Sequence, residues 1–140
     1  MPGRLLLLEA GSRTYALDFA VAGEVLDPFA QVFTVPFTPA WLSGAISYKG
    51  SAVPVLDLAE YLGEQKRELS GYLVLEPPAA NLALRVEGPI RVVSGGEPLE
   101  GEHSDLAEGL VAAGGASAEL LVPERLLAAL EEQLRRFSRA

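Results

Sequence analysis

The only carboxylates spaced like an acid–base couple are Asp57 and Glu60, three apart where an apolar run gives way to a short helical one. Such a pair can transfer protons if one group is held protonated and the other ionised. The same spacing also fits a helix start, with Asp57 accepting backbone N–H groups ahead of Leu58. Our reading is the cap; a small-ligand-binding or enzymatic β-barrel using both carboxylates is the competing one. Other chemistries lack their residues. The chain has no cysteine, a single histidine, no G-x-S-x-G, no H-E-x-x-H and no glycine loop able to cradle phosphate. Thiol nucleophiles, zinc–thiolate clusters and disulfide frameworks are excluded. His103 lies in a polar stretch, Glu97 to Glu108, expected to be loosely ordered, and reads as a solvated side chain. No catalytic residue, metal or cofactor is expected.

The elements that would position these residues come in duplicate. Gly44-Ala45-Ile46, Lys49-Gly50, Val53, Val55, Asp57 and Tyr61-Leu62 fall without a gap on Gly109-Leu110-Val111, Gly114-Gly115, Ala118, Leu120, Val122 and Leu126-Leu127. Upstream, Tyr15 to Phe19 falls on Leu82 to Val86, and Glu24-Val25-Leu26 on Arg91-Val92-Val93. A fixed internal period sets the architectural unit. Here it is about 65 residues, too long for a solenoid repeat and about right for a small barrel. Short β-rich runs bounded by Gly, Pro, Ser and Asn predict strands over 4–8, 14–19, 31–35, 44–48, 52–57, 71–76, 81–86, 90–94, 109–113 and 117–122. Turns are expected at Gly11-Ser12, Lys49-Gly50, Pro77 to Asn81 and Gly114-Gly115. Pro54 inside a strand predicts an edge or a bulge.

Helical signals are short. Phe19 to Leu26 can wind a turn or two, with Val21, Val25 and Phe29 on one side, and Leu58 to Leu62 follows the Asp57 cap. Pro123 as first helical residue precedes Leu126, Leu127, Leu130, Leu134 and Phe137, with Glu124 at the start and Arg135-Arg136 at the end, as the helix dipole favours. This helix is expected to close the base of a barrel. The whole chain, 1–140, is read as one all-β domain with short helices. Its quasi-repeat halves, about 1–68 and 69–140, leave room for exchange of strands between two five-stranded barrels.

At 140 residues the chain can bury a core without metals or disulfides. No apolar run reaches the ~20 residues of a membrane span, so a cytoplasmic protein with no direct membrane insertion is expected. Nineteen acids against eleven bases give a net charge of −8, which would repel a phosphate backbone and argues against nucleic acid as a partner. Two residues point to protein partners instead. Trp41, the only tryptophan, suits core packing or an interface anchor. Lys49, the only base between Arg13 and Lys66, sits at a hairpin tip as a solvated turn residue or a contact for an acidic partner.

The run P-x-W-x-x-G-x-I-x-x-K-G-x-x-x-P-V-x-D from Pro39 to Asp57 is similar to the signature of CheW-like domains, and Tyr15-Ala-Leu-Asp with Glu24-Val25 resembles the same family's second strand and turn. The resemblance implies two five-stranded SH3-like barrels and a stand-alone signalling adaptor, without catalysis, for chemotaxis or a related pathway. Its implied partners are the regulatory domain of a CheA-type histidine kinase and the cytoplasmic tip of a methyl-accepting chemoreceptor, with recruitment to membrane receptor arrays. A paralogue serving pilus-driven twitching is the alternative. By resemblance the receptor docks in an apolar groove between the barrels near Val21, Ala22, Val25, Gly44, Ala45 and Ile46, while Glu24 and Lys49 carry the charge that couples kinase and receptor. The hairpin-tip cation is usually arginine in that family, and Ala22 stands where a larger apolar residue is common.

Overall fold

The computed structural model describes residues 3–76 and 81–139, so the turn expected at Pro77 to Asn81 falls largely outside the described residues. Its strands are β1 (Arg4–Ala10), β2 (Arg13–Asp18), β3 (Ala22–Leu26), β4 (Val32–Phe33), β5 (Leu42–Tyr48), β6 (Ser51–Leu56), β7 (Gly71–Leu75), β8 (Ala83–Val86), β9 (Arg91–Ser94), β10 (Glu97–Leu99), β11 (Ala107–Ala113) and β12 (Ala116–Leu121). Two helices, α1 (Leu58–Tyr61) and α2 (Pro123–Arg139), complete the fold.

One sheet runs β10-β11-β12-β2-β1-β9 and the other β3-β7-β8-β6-β5-β4. In the first, the end strands β9 and β10 are separated in the chain only by Gly95 and Gly96, so one bent segment pairs with β1 at one end and β11 at the other. That continuity closes the sheet on itself and leaves five strands around a barrel. The second sheet closes likewise through β3 and β4, which pair with β7 and β5. Each barrel takes its first hairpin from the opposite half of the sequence. The β1–β2 hairpin lies beside β9 and β12, and β7–β8 lies between β3 and β6.

The burial pattern explains why the exchanged strands are apolar without alternation. Successive side chains of a strand face opposite sides. On β1, Leu5 and Leu7 fill the first barrel with Ala16, Val111 and Leu120, while Leu6 and Leu8 face a central core between the barrels. On β7, Tyr72 and Val74 fill the second barrel with Ile46, Val53 and Val55, while Leu73 and Leu75 join the same central core. A strand buried on both faces reads as a continuous apolar run. The seam between the duplicates is therefore packed with side chains.

Several expectations shift in detail. Residues Phe19–Val21 form one 3-10 turn, and Ala22–Leu26 is a strand rather than a continuing helix, because its N–H and C=O groups pair with β7. Pro54 lies in β6, a strand between β5 and β8 and not at an edge; it is tolerated because pairing with β8 begins only at Val55, leaving no ladder on that flank. The acidic stretch after Glu97 is ordered: β10 pairs with β11, Leu106 is fully buried, and Ser104 is held by Glu119. Helix α2 buries Leu126, Ala129 and Leu130 in the central core, but its apolar stripe runs past that core, leaving Leu134 and Phe137 exposed.

The hydroxyl of Tyr15, in the central core, finds no hydrogen-bond partner. Burial pushes this phenol well above its ordinary range, so it stays neutral. An unsatisfied buried hydroxyl costs about 1–3 kcal/mol, so Tyr15→Phe is expected to raise the denaturation midpoint or leave it unchanged. A loss of stability in urea titration would show that the hydroxyl has a partner.

A candidate docking site around the Lys49 hairpin

Asp57 and Glu60 do not make an acid–base couple. Asp57 is 2% exposed and caps α1, with Oδ1 accepting from the Glu60 N–H at 3.1 Å and Oδ2 lying 3.5 Å from Lys66 Nζ. Glu60 Oε2 lies 3.8 Å from the same ammonium. Both carboxylates are committed to helix start and ion pair, which removes the competing enzymatic reading of that pair. Trp41 packs on the central core, edge-on to Tyr61 at 5.4 Å. The Tyr61 phenol, raised to about 12 by burial and by its hydrogen bond to Asp105, anchors the acidic segment from outside. His103 is exposed, its Nδ1 2.9 Å from the Ser104 carbonyl.

Glu24 and Lys49, expected from sequence to carry the coupling charge, are both neighbours of Tyr48. Tyr48, last in β5, donates its hydroxyl to Glu24 Oε1 on β3 at 3.1 Å, and the Lys49 ammonium lies 5.3 Å from the centre of the Tyr48 ring. Strand β3 ends the sheet order and β5 lies next to the strand at the other end, so closure of the barrel brings them together. Beside them an open hollow of about 190 Å³ is lined by Gly23, Tyr48, Lys49, Ser51 and Glu76, among others. Tyr48 had no place in the sequence reading; its position one residue before the turn is the only signal that could have found it.

The backbone of Lys49 is strained. Its φ is 49° and that of Gly50 is 79°, the pattern of a two-residue type I′ hairpin. That turn favours Asn, Asp or Gly at its first position, since a longer side chain there costs roughly 1–2 kcal/mol in the left-handed region. The duplicate hairpin uses Gly114-Gly115. The lysine is thus held in a costly backbone conformation with its side chain exposed at the tip.

The receptor-facing residues named from sequence separate into two kinds. Val25 is half exposed on β3, and Val21 and Ala22 lie at the rim of the central core. The strand Gly44-Ala45-Ile46 is less open. Ile46 is 2% exposed and faces the interior of its barrel, which withdraws it from any partner. Gly44 has φ 144°, and a Cβ there would meet the Phe33 carbonyl oxygen at 2.4 Å, so its role is the close approach of β4 over β5. Only Ala45 of the three keeps partial exposure, and beneath the surface the seam between the barrels is packed with core side chains.

What sequence reasoning missed is the ionic anchorage of the exchanged β1–β2 turn. Arg13 Nε donates to Glu64 Oε2 and Arg13 Nη1 to Glu119 Oε2, each at 2.6 Å. Glu119 Oε1 accepts from the Ser104 N–H and hydroxyl at 2.8 Å. The Gly11 N–H donates to buried Glu87, which also pairs with Arg85. These partners lie far apart in sequence, and no local pattern announces them.

A duplicated unit folded as two closed barrels, joined by exchanged hairpins and carrying a charged, strained turn at one end, defines a double SH3-like barrel of the binding-module class. The CheW-like domain model matches residues 4–131, and the chain belongs to that family. The fold is that of the scaffolding protein TtCheW from Thermoanaerobacter tengcongensis, with a TM-score of 0.72 and 22% identity, covering 86% of this chain and 89% of that one. A search of curated proteins gives no significant match. No helix among the described residues is long and apolar enough to cross a membrane.

Proposed function

We propose that the chain is a non-catalytic adaptor that couples the cytoplasmic tip of a methyl-accepting chemoreceptor to a CheA-type histidine kinase. The observation that carries this reading is Lys49, kept in a left-handed turn where its duplicate has glycine and set against Tyr48 and Glu24. A cation fixed at a hairpin tip and a carboxylate beside it give a charge pattern for register, and the apolar rim of Val21, Ala22 and Val25, with Ala45 on β5, gives contact area. Within this reading the receptor's apolar helical surface lies over that rim, and the kinase regulatory domain reads the Glu24–Lys49 charges. Gly44 and Ile46 shape β5 from within.

Binding of the purified chain to the regulatory domain of its own genome's CheA-type kinase tests the reading. Lys49→Glu is expected to weaken association about tenfold or more, as expected when a contact charge is reversed. Lys49→Asn removes the charge but relieves the turn, so it should bind more weakly while melting roughly 3 °C higher. Full binding by both variants would take the charge out of the mechanism, and no binding by the folded wild-type chain would end the kinase-coupling reading.

A further inference from the structure

Between β3 and β5 the chain leaves an aromatic strip uncovered. Phe29 is 92% and Phe37 96% exposed, with Phe33 and Val35 about half open beside them. Phe37 also holds φ at 59°, a costly conformation rare for a bulky residue. Isolated exposed apolar residues need no explanation, but four within nine positions form a patch. From residue 14 to 48 the sequence has no Lys or Arg and carries Asp18, Glu24 and Asp27. Along the chain the strip is apolar and preceded by acids, of which Asp27 accepts from the Phe29 N–H at 2.8 Å.

At the other end of the chain lies its complement. Leu134 and Phe137 of α2 are exposed beyond the core, and from residue 133 onward the sequence has three arginines and no acidic side chain. Glu132 shares Arg135 and Arg136 at 2.6 and 3.4 Å, both at the surface where such pairs exchange readily. Leu126, Ala129 and Leu130 bury the first half of α2 in its own molecule and hold the helix in place, with Leu134 and Phe137 on its exposed side.

We infer that the aromatic strip Phe29–Phe37 receives the Leu134/Phe137 tail of α2 from a second copy of this chain, with Arg135 and Arg136 facing the acids around the strip. The two surfaces differ, so the contact is head-to-tail and builds chains or rings rather than a closed twofold pair. It is small and partly electrostatic, hence weak and weakened further by salt. It requires one purified protein, and stands or falls apart from kinase coupling.

Sedimentation of the full chain from micromolar to submillimolar concentration tests it. The wild type is expected to show mass rising beyond a dimer, more at low salt. Phe29→Asp/Phe37→Asp, which alters only exposed side chains, and Leu134→Glu/Phe137→Glu should each sediment as monomers with unchanged melting. Their equimolar mixture should recover a dimer and go no further, because each variant keeps one intact face. A wild type that stays monomeric, variants that assemble like it, or a mixture that remains monomeric would overturn the inference. So would a monomeric wild type whose strip is protected from exchange only on adding the kinase regulatory domain, which would give the strip to that partner.

Discussion

Leu73→Ala is expected to cost about 3 kcal/mol and to lower the melting of both barrels together. Leu73 is 1% exposed on β7, a strand that belongs to the second half of the sequence but pairs with β3 of the first. Its side chain sits in the central core with Leu6, Leu8, Leu56, Leu84 and Leu121, drawn from both halves and both sheets. A cavity there is shared by the whole molecule, because each barrel is completed by a hairpin from the other half. Urea unfolding followed by Trp41 fluorescence and by far-ultraviolet circular dichroism should give coincident transitions, before and after substitution. Two separated transitions would mean that the barrels fold independently and that the exchange does not bind them into one unit.

Arg13→Met should cost roughly 3 kcal/mol at neutral pH, at the low end for a broken buried ion pair because Arg13 is about one-third open to water. The loss arises at Glu119, 5% exposed, whose charge would stay buried without its cation. In the intact protein burial pushes the Glu119 carboxyl up, but hydrogen bonds from Arg13 and Ser104 outweigh it and hold it below its ordinary value of 4.5. A carboxyl depressed by folding stabilises the native state above that ordinary value, and the contribution fades as pH falls through the folded value. Without Arg13 burial dominates and the carboxyl titrates upward, so protonation relieves the variant. The gap between the two proteins should therefore be widest near neutrality and narrow below about pH 4.5. A gap constant from pH 7 down to about pH 4 would place the energy in lost packing and not in the Arg13–Glu119 charge pair.

The duplicated β unit was legible because hairpin chemistry is local. Lys49-Gly50 and Gly114-Gly115 mark two-residue turns, and both turns form between the expected strands. Asp57 and Pro123 announce the starts of α1 and α2 by the same local logic. Which hairpin completes which barrel was not legible, since Leu5 to Leu8 is equally apolar on both faces and fits either sheet. Ala22 to Leu26 misled because its apolar spacing suits one helical turn as well as an extended strand, and only β7 decides between them. Site residues fared according to their reach. Glu24 and Lys49 converge through Tyr48, whereas Ile46 shares a strand with exposed positions but alternates inward. The phenylalanines at 29, 33 and 37 resemble core residues by type, and only coordinates reveal that they face water.

The most direct measurement is kinase output in a reconstituted assembly of receptor-tip arrays, the CheA-type kinase of the same genome, and this chain. Adding the chain is expected to place kinase autophosphorylation under receptor control, with Lys49→Glu and Val25→Asp each abolishing that control while leaving the basal kinase rate unchanged. Kinase output that responds to receptors equally well without the chain, or an unaltered output in the presence of folded wild-type chain, would contradict the adaptor account.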